Sequence, residues 1–546
     1  MYEINLENAQ VQLKYSDIFS GDIPNIKKEI QKFNMHKAIS IICELIRTRN
    51  SNVKTIKLRN MIIDIPFEIA LKQKMCNITF KNKKELLADK RLGKNIHIIS
   101  VQPLLILLKR VIQYGNYNTL NDEYDISIED YKKIIQLQLT IVEELDSKHM
   151  NQEVDMNHFI YSTYHFNNVK NVANEFLRMY YIMEKLNKNV ELFEDIKSEY
   201  INYYNDFLEK YGITPTEYIS LLFCELDEYY SDINCLTYTS IWRNVERKYG
   251  SIKRKETIDK IINILALPIS EYKKWAEKTE KQEWEFSKFY EFPFLKDNNA
   301  NYISVSDITL RNAFFEGLYW LIRDCYSKKD NSSMAFWGRL FEKYVQDITK
   351  NIHREQYMYI DEFEYEKGKK SSDVYVQRGN KLLAIECKGF STFISCMIQN
   401  KDMEENIEKL FIKPILQADK ALKNIIDGGC RFTDIEEIYV ISVTMDNINA
   451  VPDFYNKVQN KIENNKKCDK IKYYFNFNIE EYEMLMYLME QGKDVFDILK
   501  KYFCEKSLKP FSTYLHKGFE CIEMTKFMKE IFCEATNNMK EMIFSN

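Results

Sequence analysis

SSDVYVQRGNKLLAIECKG, residues 371–389, reads as a β-hairpin around a Gly-Asn turn. Two runs of β-branched, aromatic and aliphatic residues flank Arg378-Gly379-Asn380-Lys381, and Gly-Asn is a recognised two-residue hairpin loop. With Gly379 and Asn380 as the loop, Arg378 pairs with Lys381, Gln377 with Leu382, Tyr375 with Ala384 and Asp373 with Glu386. A four-residue loop leaves that register unchanged and a three-residue loop breaks it. Side chains alternate along a strand, so Glu386 and Lys388 share one face, and Asp373 points to the same face.

Two carboxylates opposed at about 5 Å repel by roughly 3 kcal/mol at an effective dielectric near 20. Exposure, protonation or a bound cation relieves that cost. Val374, Val376, Leu383 and Ile385 make both strands read as buried, which argues against exposure. A divalent cation is the economical answer. Oxygen ligands without His or Cys of suitable spacing favour Mg²⁺ or Mn²⁺ over zinc. The expected ligands are Asp373, Glu386 and the backbone carbonyl of Cys387. Lys388 stands where it can hold an attacking water or neutralise charge developing on a phosphate.

Upstream, MAFWGRLFEKYVQDITK (334–350) places Trp337, Leu340, Phe341, Tyr344, Val345 and Ile348 on one helix face. Glu342 lies at the margin of that face, within expected reach of the cation through a water. A bare Glu-x-Lys pattern carries little by itself. Glu271-Tyr272-Lys273 matches it too, but in SEYKKWAEKTEKQEW (270–284), which reads as helix.

The order Glu342 on a helix, then Asp373, then Glu386-x-Lys388 on adjacent strands resembles the PD-(D/E)xK nuclease superfamily. Asp373 stands here in a Ser-Asp-Val context without the proline that gives the motif its first letter. The resemblance implies a restriction-endonuclease-like α/β core, a small mixed sheet flanked by helices, and a Mg²⁺-dependent (or Mn²⁺-dependent) deoxyribonuclease, with endonucleolytic cutting expected. It also implies a role for Gln417, in ILQADKAL (415–422) on the helix after the third strand. NYISVSD (301–307), GLYW (317–320), the 334–350 helix and IEEYEMLMYLMEQGKDVFDILKK (479–501) extend the likeness, over roughly residues 290–515, to the layout of uncharacterised bacterial nucleases. By analogy alone, that layout suggests defence against foreign DNA. The residues themselves leave DNA versus RNA and internal versus terminal cutting open.

Outward from the core, residues 1–285 read as a helix-rich domain and 286–546 as the nuclease-like domain with a helical C-terminal extension, an α+β chain overall. FNNVKNVANEFLRMYYIMEKL (166–186) carries one apolar stripe through Val169, Val172, Phe176, Met179, Met183 and Leu186. In FLEKYGITPTEYISLL (207–222), Gly212 suits a helix end, Thr214 an N-cap, Pro215 the first helical residue and Glu217 the partner in a capping box. FSKFYEFPFLKDNNANYISVSDITL (286–310) mixes short strand-like runs with turn residues. EEIYVISVTM (436–445) reads as a buried strand, and residues from 478 onward as helical.

At 546 residues the chain exceeds a single core, and 45% hydrophobic with 29% charged residues is an ordinary globular composition. The net charge of −4 offers no global attraction to nucleic acid, so contact must be local. KNKKELLADKRLGK (81–94) and RNVERKYGSIKRK (243–255) are candidate surfaces, although solvated helix faces or loops are the commoner outcome for such runs. Twelve cysteines without a CxxC pair and seven histidines without HxH or HExxH exclude the familiar zinc patterns. His353 and the other histidines read as structural. The beginning, MYEINLENAQ, has no signal-peptide character, and IHIISVQPLLILL (96–108) is too short to span a bilayer, so a cytoplasmic protein with no membrane partner is expected. No P-loop pattern is present. The expected partner is nucleic acid, DNA by the resemblance, with residues 1–285 left to recognise substrate, a second protein or another copy of the chain. The competing reading is a non-catalytic nucleic-acid- or partner-binding protein that retains the fold.

Overall fold

Gly379 takes a φ of +57° at the first central position of the hairpin, the conformation a type II′ turn asks of that residue. The register follows. In this computed structural model Arg378 pairs with Lys381, Gln377 with Leu382 and Tyr375 with Ala384, and the ladder runs to Val374 opposite Ile385. The structure describes residues 11–19, 21–50, 56–58, 61–63, 96–97, 99–120, 124–149, 171–231, 242–327, 332–389, 405, 408–445, 452–505 and 510–544.

The hairpin lies within a five-stranded mixed sheet: β1 (Met358–Asp361), β2 (Val374–Arg378), β3 (Lys381–Lys388), β4 (Glu437–Thr444) and β5 (Ile471–Asn478). The spatial order is β5-β4-β3-β2-β1. β2 is antiparallel to β1 and β3, whereas β3, β4 and β5 are mutually parallel neighbours. Strands buried on both faces read as nearly continuous apolar runs. β3 and β4 do so, and Leu382 through Ile385 and Ile438 through Ile441 are all fully buried. β5 went unassigned between the expected loop and the expected terminal helices. Its IKYYFNFN run alternates only loosely between buried and exposed positions.

Helices pack on this sheet. α1 (Ser332–Lys350) contacts β3, and α2 (Lys413–Asp427) contacts β3 and β4. The expected apolar face of α1 is the buried one: Trp337, Leu340, Phe341, Tyr344, Val345 and Ile348 are all in the core. α3 (Ile479–Glu490) begins at a capping box between Asn478 and Glu481. Its Glu483 is buried and accepts hydrogen bonds from Arg178 Nε at 2.9 Å and Tyr344 OH at 2.7 Å.

That ion pair bears on the organisation of the chain. The molecule forms two compact units that interleave in sequence. One holds the described residues within 168–219 and 319–541, and the other those within 5–167, 220–318 and 542–546. Residues 168–219 thus belong to the sheet-bearing unit, and the strand pair Phe294–Lys296 and Tyr302–Ser304 belongs to the other. A single cut near residue 285 does not describe this division.

In the sheet-bearing unit, the 166–186 stripe forms a helix over Val172–Tyr180 that continues as a π-helix to Asn187. Phe176, Met179, Met183 and Leu186 are buried, and Val169 lies outside the described residues. Gly212 ends the next helix with φ +65°, and Thr214 and Glu217 exchange the two bonds of the capping box at 3.1 and 2.8 Å. In the other unit, the helix Val101–Tyr114 packs on Met35–Asn50, Ile128–His149 and Ile269–Lys278. No helix among the described residues is long and apolar enough to cross a membrane.

The chain is therefore a mixed α+β protein. Its N-terminal half is mostly helical, and its five-stranded mixed sheet with helices comes later in the sequence.

Candidate metal centre

The acidic residues converge at the end of β2 and β3. Asp373 precedes β2 by one residue, so the ladder's register sets it opposite Glu386. Its Oδ2 accepts the backbone N–H of Cys387 at 2.6 Å, which anchors the carboxylate across the strand ends. In a strand the N–H and C=O of one residue point the same way, so the Cys387 carbonyl faces this side too.

α1 brings Glu342 to the same place. Gly389 makes that approach feasible: a Cβ built on it would lie 2.9 Å from both Gly338 Cα and Phe341 Cβ. Glycine at 389 lets the helix close on the strand end, one turn before Glu342. Glu342 then accepts from Arg339 Nη1 at 3.1 Å and from Gln346 Nε2 at 3.3 Å. Gln346 Nε2 also lies 3.4 Å from the Asp373 carbonyl.

Sequence reading missed one member. Glu362, just past β1, has a carboxylate oxygen within 4.8 Å of oxygens on both Glu342 and Asp373. Reciprocal bonds of 2.9 Å between Phe363 and Ser371 close the intervening loop and hold Glu362 there. Lys370 Nζ sits 2.6 Å from Glu362 Oε2. The available signal was the acid-rich DEFEYE run (361–366) directly after a strand.

Glu386 is the decisive residue. It is 1% exposed, and neither carboxylate oxygen has a hydrogen-bond partner. Lys388 Nζ stands 3.8 Å from Oε2, beyond hydrogen-bond reach. The Ser372 hydroxyl, buried beside the hairpin, falls outside good hydrogen-bond geometry yet works against the rise of the Glu386 pKa. Burial drives the Glu386 carboxyl well above the carboxylate range, the charge on Asp373 adds to the rise, and Lys388 opposes it. Burial also raises Asp373, against the Cys387 N–H and Lys388. Glu342 is pushed up to about 7 by burial and by Asp373, against Arg339.

A buried polar group left unbonded is costly whether ionised or neutral. Four carboxylates here face three cationic side chains, Arg339, Lys370 and Lys388. Every donor is oxygen, the set a hard divalent cation prefers. Asp373 and Glu386 stand opposite each other at the strand ends, and Glu386 lies outside the group that Glu342, Glu362 and Asp373 form.

The remaining expectations fall elsewhere. Gln417 is exposed on α2 and makes no hydrogen bond or ion pair with the acidic residues. His353 is exposed. The basic stretch 81–94 lies outside the described residues. In 243–255, Arg243 and Lys248 are bound to the buried Glu225, and Lys255 pairs with Glu246. That stretch therefore serves internal contacts at least in part.

Comparison with known proteins finds no matching family model, no matching curated protein and no matching solved structure.

Proposed function

We propose that this chain is a metal-dependent nuclease with a restriction-endonuclease-like core, hydrolysing phosphodiester bonds of DNA by internal cutting. One observation carries the reading. A fully buried glutamate with two unbonded oxygens faces a second carboxylate at the end of an otherwise apolar strand pair.

Asp373 and Glu386, with the Cys387 carbonyl, would hold Mg²⁺ or Mn²⁺. When bound, such an ion polarises a phosphate oxygen and lowers the pKa of a water. The protein's own groups do the rest. The Cys387 N–H fixes the Asp373 carboxylate in one orientation. Lys388, half-buried on the same face as Glu386, carries positive charge towards a phosphate at the strand ends and offsets the negative charge that develops there. Glu342, beside Asp373 at the margin of the buried face of α1, would accept a hydrogen bond from the attacking water. The burial of Tyr375, Ala384 and Leu382 on that face keeps the strand surface behind the acids dry, which strengthens each electrostatic contact. A role in defence against foreign DNA rests on the resemblance alone.

Cleavage of plasmid and linear DNA in Mg²⁺ by wild type, Asp373→Ala and Lys388→Ala tests the reading. Wild type should cut both substrates and neither variant should cut, with all three folded by circular dichroism. A variant as active as wild type, or a wild type that binds DNA without cutting it in any divalent metal, would refute it.

A further inference from the structure

Gly338 lies inside α1, where glycine is less favourable than alanine and calls for a reason. Packing does not supply one. A Cβ built on Gly338 meets nothing within 4 Å among the described residues, beyond the helix's own backbone and the two adjoining residues. Yet the Gly338 Cα is touched from another side, since a Cβ on Gly389 would approach it to 2.9 Å. The strand end and the helix therefore meet backbone to backbone at this point, and the helix surface beside the contact is open.

Two cations border the opening. Lys388 precedes Gly389 and Arg339 follows Gly338. The Lys388 side chain is 24% exposed, with Nζ 3.8 Å from Glu386 Oε2. The Arg339 side chain is 37% exposed, and its one hydrogen bond among the described residues goes to Glu342 at 3.1 Å. Both cations act on Asp373, each opposing the rise of its pKa, so strand and helix deliver them to the same acid. A part-exposed ion pair such as Arg339–Glu342 is weakly held, and a guanidinium fork matches two oxygens of one phosphate.

We infer that the sugar–phosphate backbone of DNA crosses α1 at Gly338, with Arg339 binding the phosphate next to the one that Lys388 faces at the strand ends. Any side chain at 338 would stand in that track, and glycine keeps it clear. Two cations on either side of an open, uncharged backbone contact suit a ligand that presents successive phosphates, as each DNA strand does. Contacts of this kind fix where a strand lies without reading its bases. The inference deepens the nuclease reading by giving its substrate a path, and it rests on that reading for the phosphate at the strand ends.

Fluorescence anisotropy of a labelled DNA duplex with the full chain, in Ca²⁺ in place of Mg²⁺ and at several salt concentrations, tests this through binding alone. Gly338→Leu should melt no lower than wild type, because leucine favours helix and the space is open, yet bind at least about tenfold more weakly. Arg339→Gln should bind more weakly too, with a slope of log Kd against log salt shallower by about one, the counter-ion release of a single phosphate contact. Arg339→Lys keeps the charge and should restore that slope. Wild-type affinity or a lower melting point in Gly338→Leu overturns the inference, as does an unchanged slope in Arg339→Gln or an unrestored one in Arg339→Lys. A wild type that cuts DNA, with Gly338→Leu and Arg339→Gln binding as it does, overturns the track and leaves the proposed nuclease. A wild type that cuts in no divalent metal, but whose binding falls in both variants as stated, refutes the nuclease and leaves the track. A wild type that does not bind DNA removes both.

Discussion

Glu225 and Glu386 are each 1% exposed and lie in different units, yet their surroundings are opposite. Around Glu225 stand four donors: Arg243 Nη1, Lys248 Nζ at 2.8 Å, Tyr249 OH at 2.8 Å and Tyr302 OH at 3.1 Å. Burial alone would raise that carboxyl, but Lys248 and Arg243 outweigh it and hold it down at about 2. Around Glu386 there are a carboxylate, the Ser372 hydroxyl and one lysine too far to donate. Glu483 follows the first pattern, gripped by Arg178 and Tyr344. Glu225 and Glu483 are thus each met by cationic and hydroxyl donors, whereas Glu386 meets only the Ser372 hydroxyl and a distant ammonium.

The comparison breaks most visibly in activity. Glu386→Gln preserves shape and removes the charge, so DNA cleavage in Mg²⁺ should fall by about a thousandfold or more. Glu225→Gln should leave the chemistry of the acidic site untouched in folded protein. It should cost about 3 kcal/mol of stability by stranding two cations, as read by denaturant unfolding. The same node gives a pH signature. Because the folded Glu225 pKa is depressed, its contribution is complete above pH 4.5 and is lost as pH falls through about 2. That acid limb should be shallower in Glu225→Gln. A wild type and variant with superimposable acid unfolding would show that the Glu225 node is not structural in this sense.

Smaller perturbations sharpen the contrast. Gly389→Ala drives a methyl against Gly338 and Phe341, so it should cost about 1–3 kcal/mol and reduce cleavage by moving Glu342 away from Asp373. Activity unchanged in that variant would detach α1 from the site. Thr214→Ala removes one capping hydroxyl, with an expected loss of about 1 kcal/mol and no effect on cleavage by the folded protein.

Much of this was legible locally. A two-residue turn at Gly379 fixes the register of Asp373 and Glu386 without any knowledge of the rest of the chain. Likewise, six apolar residues at helical spacing fix which face of α1 is buried, and hence that Glu342 lies at its edge. Glu362 was not legible, because the Phe363–Ser371 closure that turns it towards the site depends on a loop with no periodic signal. The side of α2 that carries Gln417 is set by packing on β3 and β4, and the helix turns that residue to solvent. The interleaving of the units was equally hidden. Arg178 and Glu483 are 305 positions apart, and nothing in either neighbourhood announces the other.

Thermal unfolding of wild type and Glu386→Gln, each with and without Mg²⁺, distinguishes an acid held for a cation from one held for architecture. In the absence of Mg²⁺ the variant should melt close to wild type, because burial already favours the neutral carboxyl and Gln is its neutral, similarly shaped counterpart. Saturating Mg²⁺ should then raise the Tm of wild type well beyond any change in the variant, as binding to the folded state alone requires. A variant that is less stable without Mg²⁺, and that gains as much from Mg²⁺ as wild type does, would contradict the account.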